Sequence, residues 1–101
     1  MARWSALVVA AIRDRVAEGR VRFTLKALEE LAALEAGLDE TDVCDVLARL
    51  TATDAVARLR SASTREWLYV FKPHVGATVV YLKLIVRVSC IVISCHDDNA
   101  T

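Results

Sequence analysis

Thr78-Val79-Val80-Tyr81-Leu82-Lys83-Leu84-Ile85-Val86-Arg87-Val88-Ser89-Cys90-Ile91-Val92-Ile93-Ser94-Cys95 decides the fold. The run is apolar enough to raise the question of a membrane span, and the competing reading is a pair of buried strands. Lys83 and Arg87 sit mid-span, where each cation costs about 2.5–3.5 kcal/mol at a bilayer centre. Nine of the seventeen residues from Thr78 to Ser94 are Thr, Val or Ile, side chains that fit a pleated, half-buried surface. The stretch therefore predicts two strands, at about Val79–Val88 and Cys90–Cys95, with a very tight turn near Val88-Ser89.

Upstream, the same period of two predicts strands at about Val56–Ser61 and Trp67–Lys72, joined through Ser61 to Arg65, with Pro73 to Ala77 leading on. Connections this short imply antiparallel neighbours. Before Ala55 the period is helical. Trp4, Leu7, Val8, Ala11, Ile12 and Val16 form one face of a helix from about Ser5 to Glu18, stopped at Gly19. Arg20 to Phe23 reads as a short extended linker or edge strand. Thr24 can cap a second helix over about Leu25–Ala36, ended by Gly37. The third helix has the clearest local signature. Asp39 fits as N-cap, Glu40 and Asp42 place negative charge in the first turn, and Leu38 with Val43 matches a hydrophobic staple. The stripe Val43, Val46, Leu47, Leu50 follows. The expected fold is α+β: one domain over residues 1–98, three N-terminal helices packed on one face of a C-terminal antiparallel sheet, and a disordered tail at Asn99-Ala100-Thr101.

At 101 residues with 55% hydrophobic content, the chain can bury a core without metal or disulfide. Its three cysteines are an odd number, so at least one thiol is free. Cys90 and Cys95 on one strand would lie too far apart to bridge. Reduced thiols point to a cytoplasmic location. The apolar Trp4 to Ile12 run enters Arg13-Asp14-Arg15 without a convincing cleavage site, so neither export nor membrane insertion is expected.

Formal charge sums to zero, but unevenly. Residues 57–96 carry six Lys or Arg against one acid, Glu66, whereas the first 56 residues hold seven bases and ten acids. The basic half is the half that reads as sheet. In the third of the predicted strands Val80, Leu82, Leu84 and Val86 point one way, and Tyr81, Lys83 and Arg87 the other. In the fourth, Ile91, Ile93 and Cys95 form the greasier face, while Ser94 and His96 share the other with Cys90 and Val92. One face then packs on helices, and the other presents Tyr81, Lys83, Ser94 and His96, with Arg58 and Arg60 on one parity of the first strand. Taken singly, Tyr81, Lys83 and His96 are ordinary residues of a half-solvated sheet. Gathered on one basic face, they suit a polyanion and proton chemistry on it.

Other chemistries fit poorly. His96 between Cys95 and Asp97 lacks metal-ligand spacing, and no metal is expected. Cys95 and His96 are neighbours pointing to opposite faces, so they do not make a nucleophile–base pair. A helix-turn-helix through Gly37 would lead with Asp39-Glu40-Thr41-Asp42, which phosphates repel, so direct DNA binding is not expected.

The order and spacing of several segments resemble the MqsR family of bacterial toxins. They are Gly19-Arg20-Val21-Arg22 with Thr24, Leu28 into Gly37-Leu38-Asp39, and Leu50 to Asp54. Trp67 with Val70-Phe71-Lys72-Pro73 follows, then Tyr81-Leu82-Lys83-Leu84 and Ile93-Ser94-Cys95-His96-Asp97-Asp98. The resemblance implies a RelE-like fold and an endoribonuclease that cuts single-stranded mRNA by attack of a ribose 2′-OH, without metal or organic cofactor. It also implies a cognate antitoxin encoded nearby. The family's catalytic tyrosine falls on Tyr81 and its C-terminal basic residue on His96. A basic residue of the first strand falls on Arg58, or on Arg60 with a different gap. Arg60, Lys72 and Lys83 are the cations expected along the RNA. A polar residue often follows the family's tryptophan, where this chain has Leu68. The alternative is a non-catalytic relative that only binds RNA or its antitoxin.

Overall fold

The computed structural model describes residues 3–35 and 37–98; Ala36 and the expected tail at residues 99–101 lie outside the described residues, and the second helix ends sooner than expected, at Ala32 with Ala33 as its C-cap. In chain order the elements are α1 (Arg3–Ala17), β1 (Val21–Phe23), α2 (Leu25–Ala32), α3 (Glu40–Ala48), β2 (Ala55–Arg60), β3 (Trp67–Phe71), β4 (His74–Val75), β5 (Thr78–Val86) and β6 (Cys90–Asp97). Among the described residues the architecture is α+β, with three helices and a six-stranded sheet. The sheet runs β1-β6-β5-β3-β2, with β4 paired to β5.

Two expectations are corrected. The sheet is mixed, because β1 pairs parallel with β6 in the register Val21↔Cys90. The helices are also interspersed with strands, since β1 separates α1 from α2. The physical cause is Gly19, whose φ of +71° stops α1 and turns Arg20–Phe23 back along β6. α2 then takes over the same edge. Thr24 caps it by accepting the Ala27 N–H at 3.1 Å and donates from Oγ1 to the Ile93 carbonyl. Glu30 accepts the Cys95 N–H at 3.1 Å, and Asp97 accepts the Glu35 N–H at 3.1 Å. A side chain from the helix thus satisfies backbone that a further strand would otherwise pair.

The core joins Val8, Val9 and Ile12 of α1, Ala27 and Leu31 of α2, and Val43 and Leu47 of α3 to Phe71, Val80, Leu82, Leu84, Val92 and Cys95 of the sheet. Leu38 packs on this cluster, of which Val43 is a member. The Asp39 cap is complete: its carboxylate accepts the Asp42 N–H at 2.8 Å, and Asp42 returns the bond to the Asp39 N–H at 3.0 Å. Asp39→Ala is expected to cost about 1 kcal/mol of unfolding free energy, measurable by urea denaturation; an unchanged midpoint would show that α3 is held by packing alone.

Candidate active site

Antiparallel pairing places Tyr81 directly opposite His96 and Lys83 opposite Ser94. These four side chains share the face away from Val80, Leu82 and Leu84. The Tyr81 and His96 rings stack, with centroids 4.7 Å apart and planes 11° from parallel. His96 Nδ1 lies 2.9 Å from the Asp97 carbonyl oxygen. A carbonyl only accepts, so Nδ1 carries the proton, and the neutral ring keeps its lone pair on Nε2. Among the described residues the Tyr81 hydroxyl has no hydrogen-bond partner and Lys83 has no ion pair. A base, a hydroxyl donor and a cation therefore stand together with their functional atoms uncommitted.

Ser94 reaches this face through an irregularity. The register shifts between Lys83↔Ser94 and Leu84↔Val92, which leaves Ile93 as an extra residue, a β-bulge that resets the alternation by one. The expected face assignment in β6 is corrected accordingly. Cys90 and Val92 belong to the core with Cys95, while Ser94 and His96 lie opposite. Sequence reading also missed Lys26. From the first turn of α2 its Nζ donates to Ser94 Oγ at 2.8 Å.

The remaining expected cations are placed differently. Lys72 flanks β5 on the Tyr81 side, but its ammonium is 3.1 Å from Asp98 Oδ1. Arg58 and Arg60 are not brought to Tyr81. Arg58 pairs with Tyr69, which pairs with Leu84, and Arg60 pairs with Trp67, so both arginines lie on the core side of the sheet. The Arg58 guanidinium sits 4.2 Å from the Trp67 ring centre and 5.8 Å from that of Trp4, and the Arg60 guanidinium 4.0 Å from Trp67. Arg60 also donates to the Arg65 carbonyl at 2.8 Å. A cleft of about 630 Å³ beside Arg58, lined by Trp4, Ser5, Thr53 and Val56 among others, opens on that side and not at Tyr81.

On the Tyr81 face the row next to Lys83 is apolar: Leu59 pairs with Leu68 and Ile85 with Ile91. Among the described residues no group of three or more His, Cys, Asp or Glu gathers to hold a metal ion.

A family model described as motility quorum-sensing regulator, toxin of MqsA, matches residues 6–97. The chain belongs to the MqsR toxin family. It is thereby a toxin of a toxin–antitoxin system, and its family implies an antitoxin partner, MqsA. No curated protein matches the chain. Among the described residues of this MqsR-family toxin, no helix is long and apolar enough to cross a membrane.

The toxin's cysteines Cys44, Cys90 and Cys95 are free thiols. Burial pushes the Cys90 thiol up to about 12. Burial, followed by the Glu30 and Asp97 charges, pushes Cys95 up to about 11. Both are therefore packing groups rather than nucleophiles. Their linkage has a definite sign. Unfolded thiols ionise near 9.0, whereas the folded ones stay protonated, so the stabilisation is fully present below pH 9 and is lost as pH rises towards 11–12. Unfolding free energy is expected to fall above pH 9, and the fall to shrink in a Cys90→Ala/Cys95→Ala variant. Identical slopes in the two proteins would contradict the burial of these thiols.

Proposed function

We propose that this MqsR-family toxin is a cytoplasmic endoribonuclease that cleaves single-stranded mRNA, on a RelE-like fold whose helices cover one sheet face and leave the other for RNA. The observation that carries the reading is the stacked Tyr81–His96 pair, with a lone pair on Nε2, beside a phenol and a Lys83 that have no partner among the described residues. In the proposed reaction Nε2 of His96 takes the proton of a ribose 2′-OH. The 2′ oxygen bonds to phosphorus as the bond to the 5′ oxygen breaks, and that oxygen leaves with the Tyr81 proton. Lys83 offsets the charge that builds on the phosphate. Both side chains return to their starting states by exchange with water, and the products carry a 2′,3′-cyclic phosphate and a 5′-OH. No metal takes part. Arg58 and Arg60 stand outside this scheme, and Lys72 contributes only by giving up Asp98.

A second reading is a non-catalytic member that binds RNA or its antitoxin. Leu68 favours it, since that position adds to the Leu59, Ile85 and Ile91 apolar row where the resemblance implies a polar group. Incubation of the purified toxin with end-labelled single-stranded RNA in the presence of a chelator separates the two. Cleavage with cyclic phosphate ends is the expected result; binding without cleavage selects the non-catalytic reading.

A further inference from the structure

We infer that Lys26, anchored on Ser94, is a phosphate-binding cation of the Tyr81–His96 face, an inference that rests on the RNA-binding reading above. Placing Arg58 and Arg60 behind the sheet leaves Lys83 as the one expected cation there that neither lies on the other face nor is ion-paired. An RNA strand needs more than one such contact to hold its register. Lys26 supplies the second from an unexpected direction, over the edge of β6.

Three observations converge on it. The Ile93 bulge turns Ser94 onto Lys83's face, where cross-strand partners bring their Cβ atoms within about 5 Å. Ser94 is 1% exposed, so it is a fixed anchor, and it leaves the Lys26 ammonium two further N–H donors. The Lys26 side chain itself is 62% exposed, with its nearest carboxylate, Glu30, at 4.0 Å. That ion pair, to Glu30 Oε2, is long and solvent-exposed on the lysine side, while Glu30 Oε1 accepts the Cys95 N–H. Lys26 also sits in the first turn of α2, where the helix dipole disfavours a cation. An ammonium held on Ser94 against a helix dipole, with a second lysine paired across the strands from that serine, makes a place that an anion stabilises. His96 lies two residues along the same strand face, about 7 Å from Ser94, a separation that suits neighbouring phosphate oxygens of one strand.

The test measures binding of the full-length toxin to a single-stranded RNA whose 2′-O-methyl riboses prevent cleavage, across a series of salt concentrations. Lys26→Gln is expected to weaken binding roughly tenfold and to reduce the slope of log affinity against log salt by about 0.7, the loss of one single-strand phosphate contact. Lys26→Arg is expected to restore both, and Ser94→Ala to fall between. A Lys26→Gln protein that folds and keeps the wild-type affinity and slope overturns the assignment. Binding by the wild type without cleavage of unmodified RNA overturns only the chemistry, and the Lys26 slope still decides. Failure of the wild type to bind RNA at any salt overturns the site reading and Lys26 together.

Discussion

Replacing His96 by alanine is expected to lower RNA cleavage by about 10²–10⁴-fold, the span that a positioned general base contributes. Nδ1 is committed to the Asp97 carbonyl, so Nε2 is the ring's reactive atom, and no other imidazole stands opposite Tyr81 to replace it. A general base works only in its deprotonated form, so the variant should also lose the pH dependence that the base imposes on cleavage. Folding should survive, because His96 is only half-buried and lies outside the core cluster. Cleavage at the wild-type rate with the wild-type pH profile would remove His96 from the proton chemistry.

The second large effect is expected from Tyr81→Phe, a loss of roughly 10²-fold, comparable to removing one donor aimed at charge developing in a transition state. The change deletes one hydroxyl and keeps the ring, so the 4.7 Å stack on His96 persists and packing does not confound the result. The hydroxyl also has no partner among the described residues, so removing it breaks no internal bond. Its loss should reduce the rate while leaving the thermal midpoint and RNA affinity nearly unchanged. Full activity in the phenylalanine variant would make Tyr81 a stacking platform rather than a donor.

What the sequence disclosed follows the physics of local signals. The Asp39 cap and the Leu38–Val43 pattern are written within six residues; the capping box forms, and both hydrophobic residues join the core. The alternation across Val80 to Lys83 placed Tyr81 and Lys83 on one face, because that ladder is unbroken from Val80 to Lys83. The β6 assignment failed at Ile93, where one extra residue reverses every side chain before it, and no residue type there announces a bulge. Arg58 and Arg60 show a different limit. Parity within β2 says that the two share a side, but only the pairing through Tyr69 to Leu84 says which side. The parallel pairing of β1 with β6 and the Lys26–Ser94 contact join residues far apart in the chain, and no local period encodes either. A lysine in the first turn of α2 was the single visible sign of the latter.

The most direct measurement is cleavage of two single-stranded RNA oligonucleotides, identical except for one 2′-deoxyribose at the mapped cut site. The toxin is expected to cut the all-ribose strand into fragments ending in 2′,3′-cyclic phosphate and 5′-OH. It should leave the substituted strand intact at that position while binding both with similar affinity. Equal cutting of the two strands, or products ending in 5′-phosphate, would contradict attack by the 2′-OH at the Tyr81–His96 pair.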